Sequence, residues 1–134
     1  MRLIILTPEK QILDMDINQV TVPTLSGQVT ILPNHTNLIS ALSLGNVFII
    51  PADSSSQDLV TIESGFLTTN GKDIKILADV AIHEKGVEES EVERIKLEAE
   101  QIMKDAPADR NIEKLKAQVR VAELHLVSRR RRKV

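Results

Sequence analysis

The chain has 134 residues, of which 42% are hydrophobic, and it contains two phenylalanines, no other aromatic residue and no cysteine. The lack of cysteine excludes disulfides, thiolate chemistry and cysteine-based zinc sites, and the shortage of aromatics argues against base-stacking platforms for nucleic acid. The net charge of -2 is unevenly spread, because residues 88–100 are strongly acidic and the chain closes on the basic block Arg129-Arg130-Arg131-Arg132-Lys133.

No apolar run approaches the roughly 20 residues that a transmembrane helix needs. The opening segment, residues 1–9, is too short and too soon acidic for a secretion signal. We therefore expect a protein that reaches a membrane only through a partner.

Before Gly86, apolar residues alternate or cluster in short β-branched runs separated by turn residues, which predicts a series of strands. Asn70-Gly71 predicts a tight hairpin before the last strand, since a type I′ turn needs positive φ at both central residues. Because no helix-length segment separates the runs, we predict a β-sandwich over residues 1–86. The predicted strands are 3–6, 18–22, 28–32, 46–50, 59–62 and 73–77.

After Gly86 the hydrophobic period becomes helical. Ser90 and Glu93 match a capping box at the start of one helix, and Pro107 ends it. A second helix with a basic last turn follows, so residues 87–134 are predicted to form an antiparallel two-helix hairpin. The fold class is thus α+β, mainly β. The apolar stripes are Val92, Ile95, Ala99 and Ile102 in the first helix, and Ile112, Leu115, Val119, Ala122 and Leu126 in the second.

Ala99 and Ala122 make the contact between these two stripes thin. Each helix alone lies near the ~12–15-residue margin for stability in water. The hairpin should therefore either be weakly held and open readily, or dock on something else.

The chain offers no recognisable catalytic constellation. Its histidines lack metal-site spacing, Ser54-Ser55-Ser56 lacks a nucleophile elbow, and its glycines are too scattered for a phosphate-binding loop. His35 is expected on a loop with a structural or interface role, and His125 is expected to face solvent on the second helix. We predict no catalytic residue, no cofactor, no metal site and no enzymatic activity.

Several segments together resemble the epsilon subunit family of F-type ATP synthases. Residues 6–9 are similar to that family's first strand and turn, and residues 26–38 are similar to its Gly-led strand and Leu-Pro-x-His-Ala-type loop. Ser64-Gly65-Phe66 and the strand around Leu77-Ala78-Asp79 are similar to two further family segments. The hairpin falls where the family has its C-terminal helices, so the resemblance covers essentially the whole chain.

The resemblance implies a non-catalytic rotor subunit in the central stalk of a proton- or sodium-translocating ATP synthase. It implies a peripheral position on the cytoplasmic face of a bacterial plasma membrane or on the stromal face of a thylakoid. The β-sandwich would bind the gamma subunit and sit on the ring of c subunits. The implied contact residues are Leu32, Pro33, Asn34, His35 and Leu38.

For the hairpin, the resemblance implies a regulatory role. It would either fold down on the sandwich or extend along gamma into the catalytic head, where its basic residues would meet an acidic segment of the beta subunit and block ATP hydrolysis. The implied residues are Arg120, Arg129, Arg130, Arg131, Arg132 and Lys133.

One departure from the family concerns nucleotide binding. Some members bind ATP at the start of the first helix through an Ile/Leu-Asp-x-x-Arg-Ala motif. Here the stretch is Val87-Glu88-Glu89-Ser90-Glu91-Val92, and Glu91 stands in the arginine position. Because its negative charge should repel phosphate, ATP binding is disfavoured.

A second interpretation is a free-standing adaptor whose basic tail binds an acidic protein or nucleic acid. Nothing else on the chain supports nucleic acid, which makes that partner the weaker one. A small hydrolase is disfavoured by the missing nucleophile–base pair.

Overall fold

The computed structural model describes residues 1–35, 37–54, 56–108 and 110–132, and in these residues seven strands precede two helices. A single turn of 3₁₀ helix (Glu84–Gly86) joins the strands to helices α1 (Glu89–Asp105) and α2 (Ile112–Arg132). The strands are β1 (Arg2–Leu6), β2 (Gln11–Thr24), β3 (Gly27–Ile31), β4 (Leu38–Leu42), β5 (Gly45–Pro51), β6 (Asp58–Thr69) and β7 (Asp73–His83).

The strands form one continuous sheet folded on itself. β1 pairs antiparallel with β2 and parallel with β7, and β6 lies between β7 on one side and β4 and β5 on the other. The enclosed core is aliphatic, as the composition requires, and neither phenylalanine is part of it. The predicted α+β class, a β-sandwich followed by a helical hairpin, is confirmed. The most deeply buried core residues include Leu3, Ile5, Val20, Ile49, Ile62, Leu67 and Ile76.

The structure corrects several predicted local features. β4 was missed, and β2, β6 and β7 are longer than predicted because polar residues continue along their exposed faces. Ser90 is not the cap of α1: the N-cap is Glu88, and its side chain makes no capping hydrogen bond. The Asn70-Gly71 hairpin does join β6 to β7, but of these two residues only Gly71 has positive φ, so the turn is not type I′.

A kink in β6 changes which side chains point into the core. Ser64 and Gly65 have φ values of 57° and 141°. Ile62 before the kink and Leu67 after it both lie in the core. They are an odd number of positions apart, so the strand's inward–outward alternation is shifted by one. Gly65 has no room for a side chain, because a Cβ there would overlap the carbonyl of Leu77.

The neighbouring strand β7 changes in the same way. Ile76 and Ala78 lie in the sandwich core, whereas Val80 and Ile82 belong to a second apolar cluster formed with the hairpin. The outer face of β6 and β7 is therefore divided into two halves. One half lies under the hairpin, and the other is bare.

The hairpin docks on the sandwich through α2, which contacts β5, β6 and β7 as well as α1. This matches the second of the two alternatives expected for a hairpin with a thin contact. Because α2 is covered on two sides, it buries more than the one stripe that was predicted. The second cluster contains Val80, Ile82, Val92, Ala117, Val121, Ala122 and Leu126.

Replacing Gly65 should destabilise the sandwich strongly. In Gly65→Ala the new methyl meets the Leu77 carbonyl and the backbone stays at positive φ, so we expect the free energy of unfolding to fall by at least about 2 kcal/mol. Urea unfolding measures this.

Gly27→Ala is the matched control, because Gly27 also has positive φ (117°) but nothing lies within 4 Å of an added Cβ. Its free energy of unfolding should fall only by the cost of the backbone strain, about 1 kcal/mol. Equal losses in the two variants would contradict the close approach of β6 and β7.

Candidate functional site

The loop implied as a contact region lies at one end of the sandwich, between β3 and β4. Leu32 is 52% exposed, and Pro33 and Asn34 are also exposed. The Asn34 N–H donates to the carbonyl oxygen of Gly71 at 3.1 Å, so the loop packs against the β6–β7 turn. The close fit requires glycine, since a Cβ on Gly71 would lie 2.9 Å from the carbonyl oxygen of His35.

The implied contact residues are therefore not equivalent. Leu32, Pro33 and Asn34 form the projecting tip, and His35 is half-buried beside it. Leu38 begins β4 and packs partly against the sandwich core. This end of the molecule presents Leu32 as its exposed apolar side chain.

The bare half of the outer sheet face is a second candidate surface, which was not predicted as a site. Phe66 on β6 and Leu77 on β7 are 59% and 50% exposed. They are direct cross-strand partners, and Ala41 on β4 is the partner of Phe66 on its other side. Leu25 lines the same cleft as Phe66 and Leu77, and the exposed Ile39 lies two residues before Ala41, on the same side of β4. Contiguous exposed apolar surface of this kind is typical of protein docking sites.

Two arginines of α2 attach the hairpin to the rest of the chain. Arg120 Nε lies 2.8 Å from Oε1 of Glu63 on β6. Arg132 Nη1 lies 2.7 Å from Oε2 of Glu84, and its Nη2 donates to the carbonyl oxygen of Gln57 at 2.6 Å. Both ion pairs cross the interface between the hairpin and the preceding strands.

Two further arginines brace the hairpin internally. Arg129 Nη1 donates to the carbonyl oxygen of Val87 at 2.6 Å. Arg130 Nε lies 2.6 Å from Oε1 of Glu89 on α1, and its Nη2 also binds Glu93. The acidic start of α1 and the basic end of α2 thus neutralise each other.

The remaining basic residues differ from these four. Arg131 is exposed, and within the part of the chain that the structure describes it makes no ion pair. Lys133 lies outside the described residues. Of the six residues implied to bind the beta subunit, four have partners among the described residues, and Arg131 has no ion pair with any of them.

A chain of hydrogen bonds crosses the centre of the hairpin–sandwich interface. Ser128 Oγ donates its hydrogen to the carbonyl of Leu124 at 2.8 Å, so it accepts from Asn46 Nδ2, also at 2.8 Å. Asn46 Oδ1 then accepts from the hydroxyl of Thr61 at 2.9 Å. Because that hydroxyl hydrogen is used, Thr61 Oγ1 accepts from Nδ1 of His125 at 2.9 Å. The network therefore places the proton of the neutral ring on Nδ1.

His125 was predicted to face solvent, and this was wrong. It is 0% exposed, since it lies with Ala117 and Val121 at four-residue spacing on the side of α2 that faces the sheet. Its burial, together with the positive charge of Arg129, lowers its pKa to about 4. The sequence signal that could have located it is this second stripe, in which the histidine interrupts an otherwise apolar series.

A hydrogen bond between a buried carboxylate and an imidazole lies beside this network. Asp58 is 1% exposed, and its Oδ2 is 2.7 Å from Nε2 of His83 while its Oδ1 accepts from the N–H of Leu59. Burial alone would raise the pKa of Asp58. The hydrogen bonds from His83 and Leu59 outweigh burial, and the pKa of Asp58 is lowered.

No group of three or more His, Cys, Asp or Glu side chains among the described residues could hold a metal ion. None of the described helices combines the length and apolar character needed to cross a membrane. Glu91, at the position where the motif has arginine, forms an ion pair with Arg94 on the surface of α1.

The sequence matches known proteins over most of its length. A family model described as "ATP synthase, Delta/Epsilon chain, beta-sandwich domain" matches residues 1–84. An ATP synthase epsilon chain from Sulfurovum sp. is 35% identical over 106 residues, which cover 79% of this chain and 81% of that protein. An ATP synthase epsilon chain from Thioalkalivibrio sulfidiphilus is 29% identical over 130 residues, which cover 96% of this chain and 92% of that protein.

Two solved structures contain chains with the same fold at 16% sequence identity. The mitochondrial ATP synthase of Euglena gracilis, an OSCP/F1/c-ring assembly, has a chain that matches with a TM-score of 0.62, covering 94% of this chain and 79% of that one. The central stalk and c-ring structure of Tetrahymena thermophila mitochondrial ATP synthase has one with a TM-score of 0.55, covering 93% and 95%.

Removing the buried carboxylate of Asp58 should destabilise the chain in a pH-dependent way. We expect Asp58→Asn to lower the free energy of unfolding at pH 7 by about 2 kcal/mol, because His83 loses a buried acceptor charge. Since the pKa of Asp58 is lower in the folded chain than the ordinary 3.8, its contribution is present above pH 3.8 and is lost as the pH falls through its folded-state pKa. Urea unfolding measures the difference in free energy of unfolding between Asp58→Asn and the unmodified chain. This difference should become smaller from pH 7 to pH 3.

The control is Asp53→Asn, which changes an exposed carboxylate in the loop after β5. Its free energy of unfolding should stay within about 0.5 kcal/mol of that of the unmodified chain at pH 7. A deficit in Asp58→Asn that is the same at pH 7 and pH 3 would rule out an ionised Asp58 as its origin.

Proposed function

This chain belongs to the ATP synthase delta/epsilon family, and we propose that it acts as a non-catalytic rotor subunit whose hairpin restrains ATP hydrolysis. Family membership rests on the family-model match over residues 1–84 and on the relatives named ATP synthase epsilon chain. The two structural neighbours come from an F1/c-ring assembly and a central stalk/c-ring assembly. The chain would reach the membrane only through the c-ring of such an assembly.

We assign two stalk contacts to the sandwich. The bare apolar face around Phe66 and Leu77 is the proposed gamma-binding surface, because it is the exposed apolar face that crosses three strands. The tip formed by Leu32, Pro33 and Asn34 is the proposed contact with the c-ring. The two surfaces lie on separate parts of the sandwich, so one rigid domain can bind both partners at once.

The observation that carries the regulatory part of the proposal is how the hairpin is held. It docks through a small apolar cluster, one hydrogen-bond chain and ion pairs that are partly open to solvent. Surface ion pairs contribute roughly 0–1 kcal/mol each, and these two are only partly desolvated, so a partner that binds the undocked hairpin better can shift the equilibrium. Such a hairpin is suited to move between two positions.

In the docked position most of the basic residues are occupied within the chain. Undocking would free Arg120 from Glu63 and Arg132 from Glu84, and both guanidinium groups could then pair with carboxylates of the beta subunit. Arginine favours such partners because its planar fork binds a carboxylate through two parallel hydrogen bonds. Arg131 is available in either position.

A charge on the bare apolar face should prevent gamma binding without unfolding the sandwich. Phe66→Asp places a carboxylate at the centre of the proposed interface, and we expect the affinity for gamma to fall by at least about tenfold. Pull-down and isothermal titration with the gamma subunit measure it, and circular dichroism checks the fold.

Leu97→Asp is the control, since Leu97 is an equally exposed apolar residue (65%) on the outer side of α1. It should bind gamma normally. Loss of binding in both variants, or in neither, would count against this face as the gamma site.

Arg131 offers a direct test of the head contact, because its removal breaks no ion pair within the described chain. In the assembled ATPase, Arg131→Ala should weaken inhibition of ATP hydrolysis more at low salt than at high salt, since exposed charge pairs are screened. Steady-state hydrolysis at two salt concentrations measures this.

Lys116→Ala removes another exposed cation of α2, one that pairs with Glu113 on the same helix, and should leave inhibition unchanged. An Arg131→Ala complex that is inhibited as strongly as the unmodified one at low salt would exclude Arg131 from the contact.

A further inference from the structure

The surroundings of His125 favour its neutral form over its protonated form. Its Nδ1 hydrogen is donated to Thr61, in a direction imposed by the hydrogen bonds that run on to Ser128. Its Nε2 is buried and has no hydrogen-bond partner among the described residues. A proton added at Nε2 would therefore be a buried N–H without an acceptor, which is costly.

The charges around the ring oppose such a proton. Arg129 and Arg132 of α2 and His83 of β7 disfavour positive charge on His125, and Glu89 of α1 favours it. β6 brings two carboxylates to the hairpin–sandwich interface, Asp58, which is bound to His83, and Glu63, which pairs with Arg120. β5 contributes the uncharged Asn46.

The desolvation penalty is lost when the hairpin leaves the sandwich, and His83 stays behind on β7, whereas Arg129 and Arg132 remain on α2 with the ring. Water can then hydrate both ring nitrogens, and the ring moves away from the sandwich residues that surround it. We propose that His125 is a pH-sensitive latch: a proton on its Nε2 releases the hairpin from the sandwich.

The direction and size of the effect follow from linkage. His125 has a pKa of about 4 in the docked chain, against an ordinary value of 6.5 when the ring is hydrated. A docked pKa below the undocked one means that docking is fully favoured above pH 6.5 and weakens as the pH falls from 6.5 towards 4. Between pH 7.5 and pH 5.5 the docking equilibrium constant should fall about tenfold.

The full-length chain can be tested without its partners. Amide hydrogen exchange of the buried segment of α2, residues 121–126, reports the opening equilibrium after division by the intrinsic rate at each pH. Protection should drop about tenfold from pH 7.5 to pH 5.5. Protection that stays within about twofold over this range would overturn the latch.

Two histidine variants test whether His125 is the source of the pH dependence of α2 protection. His125→Asn keeps a polar atom near the Nδ1 position but does not titrate, so the pH dependence of α2 protection should disappear. His35→Asn removes a histidine far along the chain, at the loop end of the sandwich, and should retain the tenfold drop. A tenfold drop that persists in His125→Asn would refute the assignment.

The asparagine variant could lose α2 protection already at pH 7.5. In that case the proposal is tested by titrating the His125 ring in the unmodified chain. Nuclear magnetic resonance of its Cε1 hydrogen gives the midpoint of that titration. A midpoint near 4 supports the latch, and a midpoint near 6.5 overturns it.

The latch rests on the proposed function in one respect only, namely the effect of hairpin release on ATP hydrolysis in the assembled complex. Because its test needs neither gamma nor the catalytic head, its failure would leave the proposed brake standing. Unchanged inhibition in Arg131→Ala would likewise leave the latch standing.

Discussion

The kink at Ser64 and Gly65 is the constraint on which the rest of the structure depends. By shifting the alternation of β6, it lets Thr61 and Glu63 face the hairpin on one side of the kink and Phe66 face solvent on the other. The close approach of Leu77 to Gly65 carries the same change into β7. One sheet face thereby provides both a docking place for the chain's own helices and a bare apolar surface for a partner.

The contacts made at the docking place order the hairpin and suit the movement proposed for it. The apolar cluster there is small and built largely from valine and alanine. Directional polar contacts add specificity, since Asn46, Thr61, Ser128 and His125 satisfy one another in a single arrangement. The ion pairs add little net free energy at the surface, but they keep the arginines out of contact with other acidic surfaces while the hairpin is docked.

Much of the architecture could be predicted from the sequence, because β-branched alternation and helical periodicity are local signals. β4 was missed because Leu38–Leu42 is short and contains only a brief alternation around Ser40. The burial of His125 was mispredicted because one apolar stripe was assumed for α2, and a second covered side is a tertiary property. The ion pair of Arg120 with Glu63 joins residues 57 positions apart, and no spacing rule connects such residues.

The proposed function requires that the hairpin occupy two positions and that leaving the sandwich accompany inhibition. The chain has no cysteine, so spin labels can be placed uniquely on Lys10→Cys in the sandwich and Lys116→Cys on α2, both exposed. Electron–electron double resonance should give one short distance in the free chain at pH 7.5. In the assembled, inhibited ATPase a second, much longer distance should dominate. The same short distance in both samples would contradict the account.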